Sequence, residues 1–124
     1  MKTKPSVKLI EAVLGVKIEE IDYSPTNTIY YSFVDKDNKY IETNINIYEF
    51  AFKVKEWCWN NGIGIMITRN HNGYKAILND VYGMDFDKKI EEYNDKNNCM
   101  HTTEVEAIIK AGEWVLEYSK KNKG

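Results

Sequence analysis

Hydrophobic positions along this chain follow a helical period in some stretches and a strand period in others, and the switches mark its elements. The best-specified stretch is 45–62, INIYEFAFKVKEWCWNNG. Phe50, Ala51, Val54, Trp57 and Cys58 recur there at helical spacing and form one apolar stripe. Asn46 can cap this helix, Glu49 stands where a capping residue reaches back, and Ile45 and Phe50 occupy staple positions. Gly62 supplies the left-handed residue that closes it.

The other elements are arranged around that helix. Ser6 caps a short helix through Val7, Leu9, Ile10, Val13 and Leu14, closed by Gly15. Val16, Ile18, Ile21 and Tyr23 read as a strand, a turn at 24–27 leads to TIYYSFV, and a turn at 35–38 leads to KYIET. Short turns between sequential strands predict an antiparallel meander. Beyond Gly62, Ile63, Ile65 and Ile67 alternate toward one face, and NHNG at 70–73 turns the chain into YKAILND.

The segment 81–101 breaks periodicity, with one or two helical turns at 87–93. A last helix starts at Thr102 or Thr103, with Glu106 completing a capping box after Thr103. Its inner stripe is Ile108, Ala111, Val115 and Tyr118, and Gly112 implies another backbone packed close. The fold class is therefore α+β: a single domain over 1–124, with an antiparallel sheet of about five strands packed with two long helices.

Composition narrows the function classes. The chain has 17 basic and 19 acidic residues and a net charge of −2, which gives no electrostatic case for nucleic acid. No stretch approaches membrane-spanning length and no leader pattern is visible, so the expectation is a soluble, cytoplasmic protein. Cys58, inside the apolar helix, reads as a small buried hydrophobe in a reducing compartment. Cys99, His71 and His101 lack metal-site spacing, so no metal and no cofactor are expected. The acidic run DKDNKYIE at 35–42 resembles the first half of a calcium loop but lacks its glycine and its bidentate terminal glutamate, and reads as a solvated turn. Nothing predicts an activated nucleophile, and the chain is read as a non-enzyme.

Aromatics are the stronger clue. There are three Trp, nine Tyr and four Phe in 124 residues, more than a core of this size absorbs. Phe52 and Trp59 lie off the main helix stripe, and Tyr30 or Tyr31 must point away from the sheet's inner face. Either a second copy buries them or helices cover both sheet faces; the reading taken here is a homodimer or higher homo-oligomer. In the irregular segment, Tyr82 and Phe86 offer stacking planes beside the amides of Asn94 and Asn98. Arg69, the sole arginine, offers a guanidinium for phosphate. These five residues are the candidate ligand-binding set, with loop anchoring for the rings and a solvated strand end for Arg69 as the alternatives.

NIYEFAFKVKEWCWNNGIGIMI at 46–67 and EVEAIIKAGEWVLE at 104–117 resemble the helix signatures of small phage and prophage α+β proteins. The order of elements is similar to that of the phage anti-Thoeris sponge proteins. That resemblance covers about half the chain and implies a homo-oligomer that binds cyclic ADP-ribose isomers without cleaving them, so that TIR-dependent immunity stays off. The alternative is a protein-binding inhibitor of a host defence factor, of the anti-CRISPR type.

Overall fold

The computed structural model describes residues 1–81, 88–96 and 100–122. Among these the chain forms α1 (Val7–Leu14), β1 (Ile18–Tyr23), β2 (Thr28–Val34), β3 (Tyr40–Asn46), α2 (Ile47–Asn60), β4 (Ile63–Asn70), β5 (Gly73–Asp80), α3 (Lys88–Lys96) and α4 (Glu104–Asn122). The mixed α+β class is as the periodicities predict.

The strands make two antiparallel sheets, β1-β2-β3 and β4-β5, and not the single five-stranded sheet expected. The physical reason lies at the strand edges. Asn46 is at once the last residue of β3 and the N-cap of α2, its side chain accepting from the Tyr48 N–H at 2.8 Å, so the chain leaves the sheet without a loop. The free edge of β5 is occupied elsewhere. Tyr74 and His101 exchange backbone bonds of 2.8 and 2.7 Å, and the Asn94 amide binds both backbone groups of Leu78. The β5 edge, bonded in this way at Tyr74 and Leu78, is not open to β1 or β3.

The core forms where α2 and α4 pack on each other and on the β4-β5 hairpin, with α1 laid against both helices. Phe50, Val54 and Cys58 of α2 meet Ala107, Ile108, Ala111 and Val115 of α4, Leu9 and Ile10 of α1, and Ile63 and Leu78 of the hairpin. α1 begins as read: Ser6 Oγ accepts from the Leu9 N–H at 3.1 Å, and Gly15 closes the helix at φ 70°. The Ser6 hydroxyl also donates to Glu113 at 2.6 Å, tying α1 to α4. Gly62, at φ 88°, gives the turn after α2.

The turn at 70–73 is as read: His71 and Asn72 form its loop between the paired Asn70 and Gly73, and Gly73 takes a positive φ of 131°. A Cβ at Gly73 would also lie 2.5 Å from the His101 carbonyl oxygen. Two local expectations are corrected. At Gly112 the close neighbour is a side chain, with Val54 Cγ1 2.6 Å from where a Cβ would stand, and not another backbone. At α4, Thr103 Oγ1 accepts from the Glu106 N–H at 3.1 Å, but Glu106 turns its carboxylate to His101 Nδ1 at 3.0 Å.

β1 carries a feature that alternation alone does not show. Ile18 pairs with Phe33 while Glu20 pairs with Ser32, so Glu19 forms a bulge. The bulge lets Ile18 and Ile21, three apart in sequence, share the inner face with Ile29, and it sends Glu20 and Asp22 to the outer face.

Candidate functional site

Of the five residues singled out as ligand-binding, Tyr82, Phe86 and Asn98 lie outside the described residues. The other two are placed apart in role. Asn94 is half-buried on α3, its Oδ1 accepting from the Leu78 N–H at 2.9 Å and its Nδ2 donating to the Leu78 carbonyl at 2.8 Å. Its amide acts there as a one-residue substitute for a neighbouring strand. Arg69 is exposed near the tip of the β4-β5 hairpin, directly across from Tyr74, with its guanidinium 5.2 Å from the Tyr74 ring centroid. That is cation–π distance.

Tyr74 leads to a cleft that periodicity did not single out. Its walls are Tyr48, Phe52 and Lys55 on one side of α2, Tyr74 on β5, and Thr102, Thr103 and Glu104 at the start of α4. The open cleft has a volume of about 440 Å³, within the range of small-molecule sites. Each wall follows from a local rule. Tyr48, Phe52 and Lys55 recur at helical spacing on the face of α2 turned away from Phe50, Val54 and Cys58. Tyr74 is held by its two bonds to His101, and His101 by Glu106.

The chemistry gathered there is mixed. Tyr48, Phe52 and Tyr74 offer aromatic faces. Lys55 lines the wall, and Arg69 stacks on the Tyr74 ring. The amides of Glu104 and Val105 open a 19-residue helix and have no acceptor within it, and the helix dipole places partial positive charge there. The Thr102 hydroxyl and the Glu104 carboxylate can bond sugar hydroxyls. A signal for this cleft was present in the sequence: Phe52 was recognised as lying off the core stripe, but its pairing with Tyr74 and Thr102 needs three dimensions.

The apolar surface continues past the cleft. Phe52 and Lys55 also line a second depression with Glu56, Trp59, Asn60 and Ile65. Phe52 is 63% exposed, Trp59 58% and Met66, on the solvent side of β4, 55%. The expectation that Phe52 and Trp59 point away from the core is met.

The thiol of Cys58 is buried beneath this face, and burial pushes it up to about 12. A thiol held so firmly protonated is a packing group and not a nucleophile. Asp35 spends one carboxylate oxygen on the N–H groups of Asp37 and Lys39, at 2.8 and 2.9 Å, which closes the turn as read. Among the described residues no helix is long and apolar enough to cross a membrane. Comparison with protein-family models, with curated proteins and with solved structures gives no match for this chain.

Proposed function

We propose that this chain is a non-catalytic binding protein that sequesters a phosphate-bearing aromatic small molecule, of the cyclic ADP-ribose class, in the cleft between α2 and the start of α4. In this reading it acts as a phage counter-defence sponge against TIR-dependent immunity. The observation that carries the binding site is the convergence of Tyr48, Phe52, Lys55 and Tyr74 with the opening residues of α4 along one cleft, with Arg69 held against Tyr74. Stacking planes serve the base, cations and free N–H groups serve the phosphates, and hydroxyl and carboxylate groups serve the ribose. The counter-defence role rests on the resemblance of the two helix signatures to small phage α+β proteins and of the order of elements to the sponge proteins.

A sponge must hold its ligand at low signal concentration, which needs a binding free energy of about −10 to −12 kcal/mol. Incubation with cyclic ADP-ribose isomers followed by heating tests this directly. Intact ligand should appear in the supernatant by mass spectrometry, and Lys55→Ala and Tyr74→Ala should each reduce the amount retained. Linear product would convert the reading to a hydrolase, and no retention of any isomer would remove it.

A second reading is favoured by Phe52 and Trp59, 63% and 58% exposed on one face of α2, whose apolar area extends beyond the cleft. That surface suits association, either with a second copy of the chain or with a host protein whose activity is blocked. Sedimentation of the wild type beside Phe52→Ser/Trp59→Ser reads the first case. A stoichiometric host partner that the double variant fails to capture reads the second.

A further inference from the structure

Away from the α2–α4 cleft, the outer face of the three-stranded sheet presents a second concavity of about 330 Å³. Its floor is Ser32 on the central strand. Ser32 is only 4% exposed, and its Oγ is the buried side-chain oxygen that has no hydrogen-bond partner among the described residues. A buried hydroxyl left without a partner is costly, so its place on the otherwise largely exposed outer face of β2 calls for a reason.

The strand register supplies one. Glu20 on β1 and Glu42 on β3 stand directly on either side of Ser32, and Asp22 lies one step along β1 on the same face. Tyr30 and Tyr40, 48% and 52% exposed, flank the row. The bulge at Glu19 is what delivers Glu20 and Asp22 to this face. Without it, the inward setting of Ile18 would carry Glu20 inward too. Glu20, Asp22 and Glu42 form no ion pair with any lysine or arginine among the described residues, and no basic side chain lines the concavity.

We infer that this face binds an extended aliphatic polyamine, with one ammonium group donating to Ser32 Oγ and to a flanking glutamate, and a second meeting Asp22. Two observations select that chemistry over a metal ion. Neighbouring strands lie about 4.8 Å apart, so β1 and β3 hold their carboxylates across roughly twice that span. No group of three or more His, Cys, Asp or Glu among the described residues is arranged to hold a metal ion. A chain of methylenes between ammonium groups bridges separated carboxylates, and the tyrosine faces on either side attract alkylammonium groups. A single lysine side chain from a partner would answer one carboxylate and leave the others unpaired. This site is independent of the function proposed above and goes beyond it.

Calorimetric titration of the full chain with spermidine, at fixed ionic strength, tests the inference. Magnesium chloride and a dilysine peptide serve as the comparison ligands. Saturable spermidine binding is expected, with Glu42→Gln and Glu20→Gln each weakening it about tenfold, the loss appropriate to one charge-assisted hydrogen bond. Ser32→Ala should weaken binding while leaving the thermal midpoint unchanged or slightly raised, since it deletes an unpaired buried hydroxyl. Lys55→Ala, on the other cleft, should leave spermidine affinity unaltered. Equal affinity for magnesium, tighter binding of the dilysine peptide, or indifference to all three sheet variants would overturn it.

Discussion

The side chain of Asn94 brackets the backbone of Leu78, accepting from its N–H at 2.9 Å and donating to its carbonyl at 2.8 Å. Leu78 is buried and sits on the outer edge of β5, so this one amide both fixes α3 on the hairpin and shields an edge that would otherwise seek another strand. Asn94→Ala should therefore lower stability by about 2 kcal/mol, because it removes two hydrogen bonds and leaves their backbone partners unsatisfied. Asn94→Asp keeps the acceptor and loses the donor, so its urea midpoint should fall between those of the wild type and the alanine variant. Equal midpoints for all three would show that the bracket contributes nothing.

Gly112 and Val54 form a second such pair, across the α2–α4 contact. An added Cβ at Gly112 would approach Val54 Cγ1 to 2.6 Å. Gly112→Ala gains about 1 kcal/mol of helix propensity and meets an overpacking cost of about 1–3 kcal/mol, for a net loss. Val54→Ala opens a void in the same place. The double variant should then be more stable than the sum of the single losses predicts, and a double-mutant cycle by urea denaturation reads that coupling. Strict additivity would mean that the helices shift apart and Val54 is not the obstacle.

The pairs just described show where the sequence was informative and where it was not. Caps and stripes are local, so Ser6, Gly15, Asn46 and Gly62 could be assigned from neighbours a few residues away. Edge occupancy is not local. Nothing near Leu78 in sequence announces that Asn94, sixteen residues on, completes its hydrogen bonds, and alternation alone does not distinguish two sheets from one. The same distance effect governs the candidate site. Arg69 stands out in the sequence for its chemistry alone, and only the hairpin register sets it across from Tyr74, a residue of the α2–α4 cleft.

The bulge at Glu19 offers a test of register. Ile18 and Ile21 both face inward only because one extra residue is accommodated between them. Deleting Glu19 makes Ile18 and Glu20 neighbours, so a regular ladder keeps Ile18 opposite Phe33 on the inner face and Glu20 opposite Ser32 on the outer one. The deletion and Glu19→Ala, which alters only an exposed side chain, should therefore both leave the thermal midpoint near that of the wild type. A midpoint lowered by the deletion alone would show that the bulge itself, through the twist it adds to β1, stabilises the sheet.

Alkaline pH should unfold this protein through groups that hold their protons more firmly when folded. Burial raises the Cys58 thiol from its ordinary 9.0 to about 12. Tyr23 is raised from 10.0 by burial and, secondarily, by Glu113, and Tyr31 by burial and, secondarily, by Glu49. In each case the folded state binds more protons than the unfolded state once pH exceeds the ordinary value, so stability falls as pH rises. For Cys58 the full contribution is present below pH 9.0 and is lost progressively up to about pH 12, on the order of a few kcal/mol in all. Cys58→Ala should be less stable at neutral pH, because it leaves a void in the core, yet its stability should decline less steeply across that window. Native protein near pH 8 should react with a thiol reagent at Cys58 only at the rate of unfolding. Rapid labelling of Cys58 in a protein whose circular dichroism stays native would contradict the burial on which this prediction rests.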